Sequence, residues 1–582
     1  MSERRPGVEA QPLLALGAAA LSRFRAQWAK EWRQSPAYRA LVARPTATGV
    51  ALTPKDFRPA DPDTARLILS GRVKLAGEVM EIGQGGDPWD TASPSRPFAV
   101  SLHRFDWLSG LIGAPAPQRA AAQEEALRLC LDWLALFSPI TPFAWGSETL
   151  ERRVYHLACA APHLVEIASE VEQRRLLDSL AEQARHLLNL DEGPVRATEH
   201  AAVAAVAGAM LAGKAGTQIL SIALPRLARL VRAAVLPDGG MKTRSPQQGL
   251  ELLFDLLTLD DALHRRGLTA PVELSRAIDR LTGAVRFFTL GDGRLGAFQG
   301  GESAAAARVA TILASEDPAT RVLGSAPHSG FERLAGRTVQ VLVDTGPPAD
   351  GPWSANACSQ PAALEVTCGE DRLIVNVAWS PDAQGPQALR LTDGGSTASV
   401  GEGSAGAPLG GFLATGLGAR LLGGATQVQT HRNEDETGVW LEISHDGWAK
   451  SHGLTHERRL FLDLKSDELR GEDSFAASTA GAPGRRRLDP FHLRFHLAPE
   501  VQVSLARDKR SVLLRGPSNR GWWFRNDATD VTLEPSIHFE DGVPRRTLQI
   551  ALRGQIALDG TARVRWKLTP VESSEPQGGS AR

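Results

Sequence analysis

The chain is poor in the residues that usually announce a chemistry. Of its 582 residues only two are tyrosine, Tyr38 and Tyr155, and only four are cysteine, Cys130, Cys159, Cys358 and Cys368. The cysteines show no CxxC spacing, which argues against a zinc ribbon or a dithiol redox motif. Cys358 and Cys368 lie at a spacing a hairpin can bridge, and two buried free thiols is the preferred reading. An excess of one charge is also missing. The chain carries 65 Lys and Arg against 66 Asp and Glu, a formal net charge of -1, so no global field favours nucleic acid or an anionic membrane. Recognition of an acidic ligand therefore requires a local basic patch. No apolar run approaches the roughly 20 residues of a membrane-spanning helix. The short run from Leu13 to Leu21 leads into SRFRAQWAKEW with Leu16, Ala20, Phe24 and Trp28 at helical spacing. It reads as a soluble or interfacial helix rather than a cleaved leader.

What is present is a change of period. Segments near 118–137, 147–168, 171–189, 196–213, 217–235, 246–266 and 272–290 carry apolar residues three and four apart, as in Val154, Leu157, Ala158, Ala161, Val165 and Ala168. Breakers such as Ser138-Pro139 and Asp191-Glu192-Gly193-Pro194 separate them. By pattern alone such helices fit a bundle, a solenoid or an (α/α) toroid. After about residue 335 the period becomes two, in RTVQVLVDTG, ALEVTCGEDRLIVNVAW, GVWLEISHDGW, FHLRFHL and RTLQIALRGQI among others, with a hairpin turn at Gly369-Glu370-Asp371. That pattern predicts an antiparallel sandwich. The switch falls in Leu236–Gly301, between the turns Asp238-Gly239-Gly240 and Gly291-Asp292-Gly293. The expected organisation is a helical and irregular arm over 1–100, a helical domain over 101–320, a sheet domain over 321–570 and a disordered tail over 571–582. GSAGAPLGG and ASTAGAPGRRR read as low-complexity loops.

Particular stretches sharpen this. APHSGFERLAG from Ala326, ALEVTCGEDRLIVN from Ala363 and EISHDGWAKSHGLTHERRL from Glu442 resemble strands of the heparinase II/III family, and LPDGGMKTRSP resembles a helix start of its proteobacterial branch. The resemblance implies an α+β multidomain fold: an incomplete (α/α) toroid followed by an antiparallel β-sandwich. It also implies a polysaccharide lyase acting on an acidic, uronate-containing glycan by β-elimination, or a non-catalytic protein on the same scaffold that binds glycan or associates with envelope polysaccharide. It places the protein in the cell envelope or periplasm, while the N-terminus leaves the cytoplasm open. Elimination needs no cofactor; the resemblance admits a structural zinc in the sheet domain, with no ligand set assigned.

Elimination needs a base for the C5 proton, an acid for the leaving oxygen and a group that damps the uronate carboxylate. The candidates for catalysis are Tyr155, His156 and Asn356. Those for substrate binding are Arg153 beside them, Lys242 and Arg244 near a helix start at Ser245-Pro246, and His492 and Arg494 on FHLRFHL, where alternation sets them opposite Phe491, Leu493, Phe495 and Leu497. His492 and His496, four residues apart on a strand, span about 13 Å and cannot chelate one ion alone. The sequence departs from the family pattern at three points: Met241 and Asn356 stand where histidine is common, and His200 lacks an adjacent asparagine.

Overall fold

The computed structural model describes residues 13–314, 317, 320–382, 385–478 and 488–571. The chain opens with helix α1 (Leu13–Gln34), α2 (Pro36–Val42) and α3 (Thr64–Leu69), then a hairpin of Arg72–Leu75 on Glu78–Glu81. Two short helices follow, α4 (Arg96–Arg104) and α5 (Leu108–Ile112). They lead into the sustained helical run α6 (Arg119–Phe137), α7 (Ser147–Val165), α8 (Glu170–Leu188), α9 (Pro194–Met210), α10 (Gly213–Ala234), α11 (Pro246–Arg265) and α12 (Val272–Phe288), with α13 (Ala306–Leu313) at its exit. Local chemistry sets the ends. Ser169 and Glu172 form a reciprocal capping box at the start of α8. Pro194 and Pro246 open α9 and α11, where a missing N–H costs nothing.

Helix α9 is the hub of the incomplete toroid. Every residue from His200 to Met210 is buried, and alanines at 201, 202, 204, 205, 207 and 209 let α7, α8, α10 and α11 approach closely. A β-carbon at Gly208 would stand 2.9 Å from Ile219 Cγ2, which shows how near α10 comes.

Among the described residues the second half forms two large antiparallel sheets. One has eight strands, from the edge strand Val428–Glu434 through Leu454–Asp463 and Ala562–Pro570 to Gln502–Leu505. The other has nine, from Asp530–Glu540 through Val543–Ile556, Asp489–Leu497 and Leu364–Cys368 to Ser325–Ala326, with Ala398–Val400 pairing on Asp489–Leu497. Their inner faces share one apolar core, including Leu364, Leu441, Phe495, Phe524 and Trp566. The toroid's core does not stop at the domain border. Phe331 and Leu342 of the nine-stranded sheet belong to it, and Phe331 packs edge-on against Phe288 and Phe298. All four cysteines are free thiols. The stretch GSAGAPLGG is more ordered than expected: Gly406–Pro408 pairs with Leu421–Gly423, and a helix follows at Gly411–Leu417. The Arg485–Arg487 run and the tail beyond Val571 lie outside the described residues.

Candidate functional site

A cavity of about 610 Å³ lies where the toroid meets the sheet domain. Its walls come from the 56–61 segment, α4, α7, α9, α11, the 299–302 segment, Asn356, and the sandwich loops at Pro381-Asp382 and Asp541-Gly542. Gly300 is fixed by this meeting: its φ is +78°, and a β-carbon there would sit 2.3 Å from the carbonyl oxygen of Asn356. Only glycine lets the toroid's exit pass so close to the Asn356 backbone.

The cavity wall is built of ion pairs. Asp255 of α11, wholly shielded from solvent, accepts two hydrogen bonds from Arg152, at 3.0 and 2.7 Å, and one from Arg58 at 2.9 Å. Arg58 also reaches Glu251 at 3.2 Å and lies over the rings of Tyr155 and Phe254, at 4.5 and 5.1 Å. Glu251 is further paired with Arg308 at 2.6 Å. A single nitrogen of Arg196 lies 3.2 Å from Glu151 and 3.4 Å from Glu199. Arg104 bridges from the toroid to Asp382 of the sheet domain at 2.8 Å. All five lining arginines are thus committed to carboxylates.

These neighbours separate two adjacent carboxyl groups. Burial opposes ionisation of Glu151, but Arg152 and Arg196 outweigh it and hold its pKa down to about 2. Burial, aided by the Glu151 charge, pushes Glu199 up to about 7 despite Arg196. Glu302, buried and hydrogen bonded by Ser380 Oγ and the Gly542 N–H, is also pushed up to about 7 by burial.

Of the candidates read from the sequence, the structure brings His156 and Asn356 to the cavity wall. Burial, with Arg152, Arg58 and Arg104 nearby, lowers His156 to about 3, so its imidazole is neutral across the physiological range. Tyr155 lies behind that wall, fully buried. Its hydroxyl donates to Asp56 at 2.9 Å and shares a hydrogen bond with Thr258 at 2.8 Å, and burial raises its pKa well above 10.

The burial of Arg153 and Arg244 is a correction, and the remaining candidates stand outside the cavity. Arg153, one residue from Arg152, is rotated about 100° around the helix into the toroid core. There it donates to Gln183, His103 O and Ala144 O, and stacks on Trp133 at 4.1 Å. Arg244 is only 6% exposed and clamps the two domains together. It donates to Ser329 O, Gly330 O and Gly346 O, and pairs with Asp344 at 2.6 Å. Lys242 is exposed over the Trp353 ring, outside the cavity lining. His492 and Arg494 also lie outside it: Arg494 is held by Asp393 and Ser399 on the sheet, and the strip continues to a buried His496. The buried His200 lies outside the lining as well. Sequence reasoning missed Arg58, Glu151, Arg196, Glu199, Glu251 and Asp255. The available signal was charge inside apolar helices, as in LELLFDLLTL, where Glu251 and Asp255 stand one turn apart.

The histidines of the sheet domain form a relay. His445 Nε2 meets His456 Nδ1 at 2.9 Å, and His456 Nε2 meets Asp473 at 2.9 Å. Asp473 also takes Arg458 and Trp566 Nε1. Because His456 uses both edges of its ring, His445 and Asp473 lie on opposite sides of it. The three therefore do not converge on one ion, and no other group of three or more His, Cys, Asp or Glu among the described residues does so. These residues do not fit a structural zinc.

A helical toroid delivering its cleft to a β-sandwich is the architecture of the polysaccharide-lyase-like scaffold. Residues 318–567 match the heparinase II/III-like C-terminal domain, so the sheet domain belongs to the heparinase II/III-like family. It is 52% identical over 546 residues to the FtsZ-localized protein C of Caulobacter vibrioides, covering 93% of this chain and 94% of that one. Among solved structures it resembles heparinase III, with a TM-score of 0.66 at 14% identity over 95% of this chain and 92% of that one. It also resembles a heparan sulfate lyase from Pedobacter heparinus, with a TM-score of 0.55 at 14% identity over 96% and 88%. No helix among the described residues is long and apolar enough to cross a membrane.

Proposed function

We propose that this protein is a glycan-binding member of the family that does not perform uronate β-elimination, and that it localises with FtsZ as its Caulobacter relative is named for doing. The observation that carries the first part is the commitment of every lining arginine to a carboxylate. A uronate entering this cavity meets no uncompensated arginine, so no free cation acidifies its C5 proton. The proton-transfer groups point the same way. Tyr155 is sealed behind the wall, and a neutral imidazole whose conjugate acid has a pKa of about 3 is a weak base. What the cavity retains is binding capacity: its volume is typical of small-molecule sites, and Gln247 and Asn356 offer amides to sugar hydroxyls.

The lyase reading rests on His156 and Asn356 sharing the wall. Incubating the full chain with uronate-containing polysaccharides separates the two. Glycan retention without unsaturated-uronate absorbance is the expected result. Accumulating absorbance, abolished by His156→Ala, establishes the lyase instead. A fluorescent fusion is expected to follow FtsZ through the cell cycle, and a diffuse distribution overturns that localisation.

A further inference from the structure

We infer that the toroid cavity takes an amine-bearing glycan, a saccharide whose protonated amino groups sit among the cavity's carboxylates; this rests on the glycan-binding reading above. Among the described residues ten acidic side chains line the cavity against five arginines. Those five, with Arg96 on Glu148, engage Glu148, Glu151, Glu199, Glu251 and Asp382. Among the described residues no salt bridge reaches the other five, Asp56, Asp61, Asp106, Glu302 and Asp541, so the wall has unpaired acids and no unpaired arginine. Such a surface repels a uronate, a neutral sugar leaves its charge uncompensated, and an ammonium both compensates that charge and makes charge-assisted hydrogen bonds.

Two further features point to a saccharide rather than a bare ion. The lining residues Arg58 and His156 each carry a buried polar atom, Nη1 and Nδ1, with no partner among the described residues, and both suit ligand hydroxyls. The cavity also adjoins a second space of about 360 Å³ that shares Asn356 and Pro381 with it and has no carboxylate in its lining. That gives a chain room beyond the sugar that carries the amine. A metal ion is the poorer occupant, because among the described residues no three acidic or imidazole groups converge.

The test is calorimetric titration of the full chain with three oligomers of equal length: glucosamine, N-acetylglucosamine and galacturonate, in mildly acidic buffer where the amine is protonated. The glucosamine oligomer is expected to bind at least about tenfold tighter than its acetylated counterpart, the worth of a hydrogen bond to a charged group. The galacturonate oligomer is expected to bind weakest. Asp61→Asn with Asp541→Asn, which breaks no ion pair, is expected to remove most of that preference while leaving the melting temperature unchanged. Equal affinity for the acetylated oligomer, or a preference that survives the double substitution in a folded variant, overturns the amine assignment and leaves glycan binding standing. Preference for galacturonate overturns the amine assignment. Failure of all three to bind overturns the glycan-binding reading and the inference with it.

Discussion

At the scale of single residues, Asp255 organises the site. It is wholly shielded and holds Arg58 and Arg152, which in turn cover the Tyr155 ring at 4.5 and 5.3 Å. Removing its charge leaves two guanidinium groups compensated only by Glu251 and Glu151, and breaking a buried pair from one side is far costlier than replacing both partners. Asp255→Asn keeps the shape and loses the charge. It is expected to destabilise the fold by about 3 kcal/mol, read as a fall in the urea midpoint at constant slope. The cavity candidates legible in the sequence, His156 and Asn356, were flagged by residue type. Asp255 was not, because a carboxylate in an apolar helix announces burial without naming its partner.

At the scale of elements, the joint between toroid and sandwich is an interlock of backbone and charge. Arg244 adopts a φ of 66° at the end of the LPDGGMKTR turn and reaches three carbonyls and Asp344 with one planar fork. Gln299 donates to the same carboxylate at 2.7 Å and accepts from the Cys358 N–H at 3.1 Å, tying the toroid's exit to both sides of the joint. A lysine has a single ammonium and cannot serve four acceptors spread around a fork. Arg244→Lys is therefore expected to uncouple the halves, so that differential scanning calorimetry resolves two transitions where the parent shows one. A single unchanged transition would remove the clamp role. Placing this residue in the cleft was reasonable from its position at a helix start, but the left-handed turn points the guanidinium into the sheet.

At the scale of the whole molecule, buried histidines set the response to acid. Burial lowers His103, His186, His200, His496 and His538 to about 4, His156 to about 3, and holds His445 well below its ordinary value. For each, the folded state refuses a proton that the unfolded chain accepts near its ordinary 6.5. The stability they contribute is present above that value and lost as pH falls towards 4. Glu199, Glu302 and Glu365, all pushed up to about 7 by burial, act in the opposite sense: their contribution is present below about 4.5 and lost as pH rises towards 7. Asp106, Glu182, Asp260 and Glu332, also raised by burial, add to these three, and the eight lowered imidazoles, His492 included, outnumber the seven raised carboxyl groups. The melting temperature is expected to fall between about pH 6.5 and 4.5, and a rise across that window would show that the carboxyl groups dominate.

The sequence alone determined the elements and their order. The predicted helix near 147–168 is Ser147–Val165, that near 246–266 is Pro246–Arg265, and the turn at Gly369-Glu370 joins Cys368 to Asp371 in register. The apolar N-terminal run is helix α1, with Phe24 and Trp28 exposed. Periodicity reports such features because burial on one face is a local pattern, repeated every 3.6 or 2 residues. The tertiary structure decided which charged residues meet. One step along α7 separates Arg152, in the cavity wall, from Arg153, in the core, and no composition or spacing records which side of that helix faces the cleft. The cavity draws on segments from Asp56 to Gly542. Its excess of unpaired carboxylates arises only when packing brings these distant segments together.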